Sequence, residues 1–255
     1  MSETVAWLDD GSPHSPRFSD RYRSRSGGLA QAQAVFLAGC GLPERWRGIT
    51  QFTVLETGFG LGLNFLTTWA LWAADAQRCD VLHFVSVEAY PVAAMDIVRS
   101  ALAPGPFKIA GQPEAQWVEA DLLQRLPVLA RELSRVWRDP SPGLHRFDFA
   151  DGRVHLTLAV GEVALMLKRL AAEVGDAGLA DAVYLDGFSP ALNPDMWSPD
   201  TLQAVAHLCH PGTRLASYSV AQSVRQSLNQ LGFRVEKCPG LPPKRQRLEA
   251  VFLPV

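Results

Sequence analysis

The chain reads as an α/β protein whose mostly parallel sheet is covered by helices on both faces and ends in an antiparallel hairpin. Three observations predict this. From residue 52 onward, short apolar runs alternate with helix-period segments, as parallel strands joined by crossover helices require. The run FTVLE (52–56) passes through a glycine-rich turn directly into an apolar helix. The last two runs, FRVEKC (233–238) and LEAVFL (248–253), are joined by a Pro/Gly/basic loop without a helix, which pairs them antiparallel at the sheet edge.

The elements follow in order. Residues 1–28, rich in Ser, Gly, Pro, Asp and Arg, read as an extended arm. LAQAQAVFLAG (29–39) puts Leu29, Ala32, Val35 and Phe36 on one helical face, and Gly39 and Gly41 stop it. After strand 52–56 and the glycine turn, Leu63–Ala74 is an apolar helix. HFVSVEA (83–89) is a second strand ending near Glu88, and Pro91 opens a helix over 91–102. Proline clusters bracket an insertion at about 103–143 that contains a helix over 121–137. LHRFDFA and RVHLTLAV alternate around Asp151-Gly152 as a hairpin. A helix over 162–173, a strand AVYLD (182–186), a loop over 187–197, a helix over 199–209, a strand over 214–219 and a helix over 221–231 lead to the final hairpin. That ending is typical of Rossmann-like methyltransferases and less so of dehydrogenases.

Composition narrows the function class. The 255 residues are 47% hydrophobic and 20% charged, which is ordinary for a globular enzyme. No run is long enough to cross a bilayer and no signal-peptide pattern opens the chain, so a cytoplasmic location without a membrane partner is expected. No cysteines form a C-x-x-C pair, and His207, Cys209 and His210 lack a second ligand pair, so no metal is expected. With a net charge of −2, a nucleic-acid partner needs a local basic patch. Arg17, Arg21, Arg23 and Arg25 form one candidate; Lys237, Lys244, Arg245 and Arg247 form the other.

The glycine turn can hold a phosphate or the amino-acid end of a cofactor. A dinucleotide fingerprint spaces its glycines G-x-G-x-x-G, whereas Gly58, Gly60 and Gly62 leave one residue fewer in the second gap. Glu56, two residues before the first glycine, repels a pyrophosphate and attracts an α-ammonium group. S-adenosylmethionine carries that group, and its carboxylate can accept N–H groups from the turn and helix start. Glu88 at the second strand end is placed for the ribose hydroxyls, and Glu162 after the hairpin strand for the adenine amino group. The plain alternatives are tight strand–helix packing for the glycines and helix capping for Glu88 and Glu162. Methyl transfer from a sulfonium needs no metal.

The acceptor side is expected where Asp186 ends its strand ahead of Gly187-Phe188-Ser189-Pro190, outside the carboxyl ends of the sheet. An alkylammonium has no lone pair, so Asp186 is assigned to orient an acceptor amine and accept its proton. The alternatives for Asp186 are capping the next segment or binding the methionine amine of the co-substrate.

GFGLGLNFL (58–66), LDGFSPALNPDMW (185–197) and LGFRVEKCPGLPPKRQRLEAVF (231–252) resemble the methyltransferase module of the bifunctional tRNA 5-methylaminomethyl-2-thiouridine biosynthesis (MnmC) family. RFSDRYRS (17–24) and AVFLAGCGL (34–42) extend the likeness over almost the whole chain. The resemblance implies a class I methyltransferase fold. It implies S-adenosylmethionine-dependent methylation of the exocyclic amine of 5-aminomethyl-(2-thio)uridine at the tRNA wobble position. Cofactor positions then fall on Glu56, Gly58, Phe59, Gly60, Gly62, Asn64, Glu88 and Glu162, and the acid on Asp186. The anticodon base would be splayed from its loop, with Phe188 and Pro190 beside it and Lys244 and Arg245 on phosphates. The family's frequent FAD-dependent oxidase half has no counterpart in these residues, so no FAD is expected and a separate oxidase would supply the aminomethyl base. Domain organisation follows: an arm and helix over 1–50, and a methyltransferase domain over 51–255.

The chain departs from the family pattern at Leu192, where Lys is usual, and at Arg23, where an aromatic usually follows Tyr22. Acidic residues of the next helix are replaced by Ala-Gln repeats, Cys40 stands for a common Asn, and Glu162 for a usual Asp. Two other readings stay open: a methyltransferase of small-molecule or protein amines, and a non-catalytic fold that binds RNA or a partner enzyme.

Overall fold

A computed structural model describes residues 3–24, 27–103, 119–175 and 179–254. Arg25 and most of the first proline cluster lie outside them. Three short strands, β1 (Ala6–Trp7), β2 (Pro13–Ser15) and β3 (Asp20–Arg21), are followed by helix α1 (Gly28–Gln31), which continues as a π-helix over Ala32–Leu37. Then come β4 (Gln51–Glu56), α2 (Leu63–Ala74), β5 (Val81–Glu88), α3 (Ala94–Leu102) and α4 (Glu119–Val136). β6 (Gly143–Phe149), β7 (Val154–Val160), α5 (Val163–Val174) and β8 (Ala180–Tyr184) follow. The chain ends with α6 (Pro199–His207), β9 (Cys209–Ser217), α7 (Gln222–Gln230), β10 (Phe233–Pro239) and β11 (Gln246–Phe252).

Eight strands form one sheet in the order β10-β11-β9-β8-β4-β5-β7-β6. β7, β5, β4, β8 and β9 run parallel, as the alternation predicts. The final hairpin is antiparallel, but β11 inserts between β9 and β10, which leaves β10 as the edge. β6 and β7 make the second hairpin at the opposite edge.

The central strands are buried on both faces, so they read as unbroken apolar runs. Helix α2 is buried along Phe65–Trp72, with Phe65 packed edge-on to Phe84 and Trp69 against Phe149. Along α4, Leu122, Leu126, Ala130 and Leu133 are buried at helical spacing, and Trp137 beyond its end stacks on Phe59 of the glycine turn at 5.1 Å. The described part of the expected insertion therefore buttresses the turn.

Three sequence expectations change. The N-terminal segment folds into a three-stranded antiparallel sheet instead of an extended arm. Pro91 does not open a helix: its carbonyl accepts the Glu3 N–H at 2.9 Å, Val92 bridges to Glu3, and α3 starts only at Ala94. The helix expected over 199–209 ends at His207, and Cys209 begins β9. Among the described residues no helix is long and apolar enough to cross a membrane.

Candidate active site

The chain leaves β4 through α2 to β5 on one side, and later returns to β8 on the other. Neighbouring connections therefore diverge at the carboxyl end of β4, where an α/β sheet leaves a crevice. A cavity of about 280 Å³ occupies it. Its wall carries Glu3, Glu88, Glu162, Asp186 and Asp195 against a single basic side chain, Arg21. Such a wall favours cationic ligands.

Glu88, at the end of β5, accepts the Gly60 N–H at 2.8 Å on one oxygen and the Tyr90 N–H at 2.9 Å on the other. Burial raises its pKa, and these backbone donors oppose the rise. Each oxygen keeps a second lone pair, and Glu88 lines the cavity. Glu162 caps α5, accepting from Ala164 N at 2.9 Å and Leu165 N at 2.8 Å, and also lines the cavity.

Asp186 lies two residues beyond β8 and faces the cavity. Thr57 fixes its backbone: the Thr57 hydroxyl donates to the Asp186 carbonyl at 2.7 Å and accepts the Asp186 N–H at 3.1 Å. Its side chain accepts from Gly187 N and from Asn64 Nδ2, each at 2.9 Å. Burial pushes its pKa up to about 6, against these donors and the nearby charge of Lys244. Asn64 gives its second amide proton to Glu56 at 2.9 Å, so one side chain ties two carboxylates together.

The opposite wall is aromatic. Phe188 stacks on Phe18 at 4.8 Å and meets Tyr22 edge-on at 5.1 Å, and Tyr90 lies beyond Phe18. Asp20 of β3 accepts the Ser189 N–H at 3.0 Å, which pins the loop after β8 to the N-terminal sheet. Lys244 Nζ sits 3.5 Å from the centre of the Tyr218 ring, whose hydroxyl donates to the Gly187 carbonyl at 2.6 Å.

Residues 125–252 match the sequence profile of a family described as S-adenosyl-L-methionine-dependent methyltransferase. This chain belongs to that family. It is 50% identical over 258 residues to the bifunctional tRNA 5-methylaminomethyl-2-thiouridine biosynthesis protein MnmC of Polaromonas naphthalenivorans, covering 100% of this chain and 37% of that protein. The corresponding protein of Paracidovorax citrulli is 51% identical over 254 residues, covering 100% of this chain and 36% of the relative. The methyltransferase thus spans little more than a third of the length of these relatives. The crystal structure of MNMC2 from Aquifex aeolicus shares its fold, with a TM-score of 0.69 at 24% identity, over 100% of this chain and 72% of that one.

The glycine turn of the methyltransferase lies tight against the cavity. A Cβ on Gly58 would meet the Asp186 carbonyl at 3.2 Å, so the turn runs close along the cavity floor. Gly62 has φ +70° and would press a Cβ onto the Phe59 ring at 2.9 Å, so only glycine lets α2 start there unstrained. Gly58, Gly60, Glu88, Glu162 and Asp186 line one cavity.

Other expected residues stand elsewhere. Glu56 is fully buried and off the cavity wall, with its oxygens taken by Asn64 and by the Ser86 hydroxyl at 2.7 Å. Burial first, and then the Asp186 charge, raise its pKa to about 8, so it is largely uncharged at neutral pH and reaches the site only through Asn64. Phe59 is core, packed between the turn and Trp137. Pro190 starts the turn beyond Phe188 and does not line the cavity. Arg245 is exposed, and its carbonyl accepts the Gly240 N–H at 2.9 Å.

Two of the N-terminal arginines are engaged internally. Arg17 pairs with Glu3 at 2.8 Å and lies over Tyr90, and Arg21 pairs with Asp10 at 2.7 Å. Sequence reading missed Glu3, Thr57, Phe18, Tyr22 and Tyr90 as wall residues. For Phe18 and Tyr22 the signal is the aromatics interleaved with the arginines of RFSDRYR.

Proposed function

We propose that this methyltransferase transfers a methyl group to the primary amine of 5-aminomethyl-(2-thio)uridine at the wobble position of tRNA, in the cytoplasm. The observation that carries the reading is Asp186: a half-buried carboxylate raised to about 6, held by two donors, between the glycine turn and an aromatic wall. The names of the relatives, given to tRNA 5-methylaminomethyl-2-thiouridine biosynthesis, supply the substrate class. The aminomethyl base is then the product of an FAD-dependent oxidase activity, and the methyl step itself uses neither FAD nor a metal.

S-adenosylmethionine supplies an electrophilic methyl whose departure leaves the bonding electron pair on sulfur. In this reading the chain binds the donor's ribose at Glu88 and its adenine beside Glu162. Asp186 takes a proton from the acceptor ammonium and exposes the nitrogen lone pair that forms the new C–N bond. A carboxylate near 6 is a better match for an amine than an ordinary one, because the pKa gap is smaller. The product forms directly as the secondary ammonium, carrying the positive charge that the sulfonium loses, and Asp186 passes its proton to water. Phe188 and Phe18 offer a flat apolar surface for the extruded base, and the exposed Lys237 and Arg245 can meet phosphates.

The test uses labelled S-adenosylmethionine and tRNA from cells that lack the wobble methylation, followed by digestion and nucleoside identification. Label in the 5-methylaminomethyl base is expected. Label elsewhere, or transfer to free amines with no transfer to tRNA, overturns the substrate assignment.

A further inference from the structure

The β10–β11 connection carries Lys244 and Arg245, which the sequence groups as one basic pair. The structure separates them. β11 runs antiparallel to β9 with Leu248 opposite Ser217, the last residue of β9. The connection over 240–245 therefore stands at the carboxyl end of the parallel strands, the same end as Asp186. It closes on itself: the Lys244 N–H donates to the Leu241 carbonyl and the Gly240 N–H to the Arg245 carbonyl, each at 2.9 Å, with Leu241 buried beneath. Lys244 is exposed as a residue, yet its ammonium sits 3.5 Å from the centre of the half-buried Tyr218 ring. The Tyr218 hydroxyl donates to the Gly187 carbonyl at 2.6 Å. Ammonium, ring and carbonyl thus form a short chain that ends beside Asp186.

The surroundings of Asp186 are otherwise acidic. Glu56 stands across Asn64, Asp20 lies on β3, Asp195 follows on the same loop, and Glu3, Glu88 and Glu162 share the cavity wall. Tyr22 and Tyr218 are neutral phenols, their pKa values raised by burial. The neighbouring arginines are engaged elsewhere, Arg21 with Asp10 and Arg23 with the Gly11 carbonyl. The cation that draws the Asp186 pKa down is Lys244. In return, the charges of Asp186 and Asp20 support the Lys244 pKa against the lowering by burial. Without this cation, burial and the surrounding carboxylates would leave Asp186 protonated to a higher pH.

We propose that Lys244 is a positioning residue for the methyl transfer: its ammonium, seated on the Tyr218 ring, keeps the Asp186 carboxyl in the charged form that accepts the acceptor's proton. The proposal rests on reading Asp186 as the base. It removes Lys244 from the phosphate contacts and leaves Arg245 among them.

Two measurements in low salt, where an exposed charge is least screened, test it. Carbon-13 NMR of carboxyl-labelled aspartate follows the Asp186 titration without substrate, with Asp186→Asn to assign the signal. Lys244→Met keeps the length and removes the charge, and should move the midpoint up by about half a pH unit or more. Lys244→Arg should return it toward wild type, and Arg245→Ala should leave it in place. In the second measurement, kcat with hypomodified tRNA should fall about two- to threefold in Lys244→Met at pH 5.5 and converge on the wild-type value at pH 8, as a half-unit displacement of a deprotonation limb requires. KM for tRNA should rise in Arg245→Ala and stay within about twofold in Lys244→Met. An unmoved Asp186 titration in Lys244→Met overturns the proposal, as does a raised KM for tRNA with an unmoved kcat limb, which returns Lys244 to the phosphates. A moved titration in a protein whose wild-type kcat has no limb near it overturns instead the reading of Asp186 as the base.

Discussion

The two walls of the cavity are built by different means. The wall proposed to bind the donor is made of strand ends and a glycine turn, and its carboxylates Glu88 and Glu162 are anchored to backbone N–H groups two or three residues away or on the adjacent turn. The wall proposed to face the acceptor joins segments about 170 residues apart in sequence, Phe18 and Asp20 of the N-terminal sheet region with Phe188 and Ser189 of the loop, through ring stacking and one hydrogen bond. Local hydrogen bonds to a rigid sheet hold a site in place before any ligand arrives. Contacts between two loops can open without disturbing the sheet. The donor site is therefore expected to tolerate damage to the acceptor wall, and the reverse is not expected.

Asp186 stands where the walls meet, so it tests the division most severely. Asp186→Asn should lower kcat about 10²-fold or more while donor affinity stays near wild type. Because the deprotonated form is the base, the wild-type rate should rise with pH through about 6 and then level off, and the variant should lose that limb. An equal loss of donor affinity in Asp186→Asn would move the residue to the donor wall as a ligand of the methionine amine. Calorimetry beside a kcat–pH profile separates the two.

The next effect falls on the acceptor wall alone. Phe188→Ala removes one half of the Phe18–Phe188 stack and should raise KM for tRNA by roughly the 1–3 kcal/mol that base–aromatic stacking contributes. The Kd for S-adenosylhomocysteine should not move. A parallel loss of donor binding would mean that the aromatic wall also shapes the donor site, and the comparison would fail.

The donor wall was largely legible in the sequence, for the same reason that it is rigid. A strand, a glycine turn and a helix in immediate succession leave few ways to place Gly58, Gly60 and Glu88, and α2 begins and ends where its apolar pattern does. Glu56 escaped because β4 is buried on both faces, and the strand's run of apolar residues gives no hint that its terminal carboxylate turns inward to Asn64 and Ser86. The acceptor wall was mostly illegible. Strands of two or three residues, such as β1 and β3, are too short to show a period, and Phe18 and Tyr22 lie on no apolar face that spacing could reveal. Pro91 misled for a related reason: a proline suits the first turn of a helix, but here its carbonyl was taken by Glu3, 88 positions earlier in the chain.

The smallest catalytic effect is expected at Glu56, and it sharpens the comparison by showing what lies behind the walls. Glu56→Gln keeps the shape and can still accept from Asn64, so activity and donor affinity should change by no more than a few-fold. Its signature is in stability. The folded protein raises the Glu56 pKa from 4.5 to about 8, so it binds that proton more tightly than the unfolded chain does. The associated stability is complete below about 4.5 and declines as pH rises through about 8. Asp186, raised from 3.8 to about 6, adds a decline of the same sign in a lower window, so the wild-type curve alone does not isolate Glu56. The difference between wild type and Glu56→Gln does. Urea denaturation at pH 6.5 and pH 8 should show the wild-type protein losing more stability across that interval than the variant, because the Asp186 contribution is common to both. Equal losses would mean that Glu56 is already ionised in the folded state. A charged carboxylate, as the sequence alone had suggested for Glu56, would then stand one amide away from Asp186.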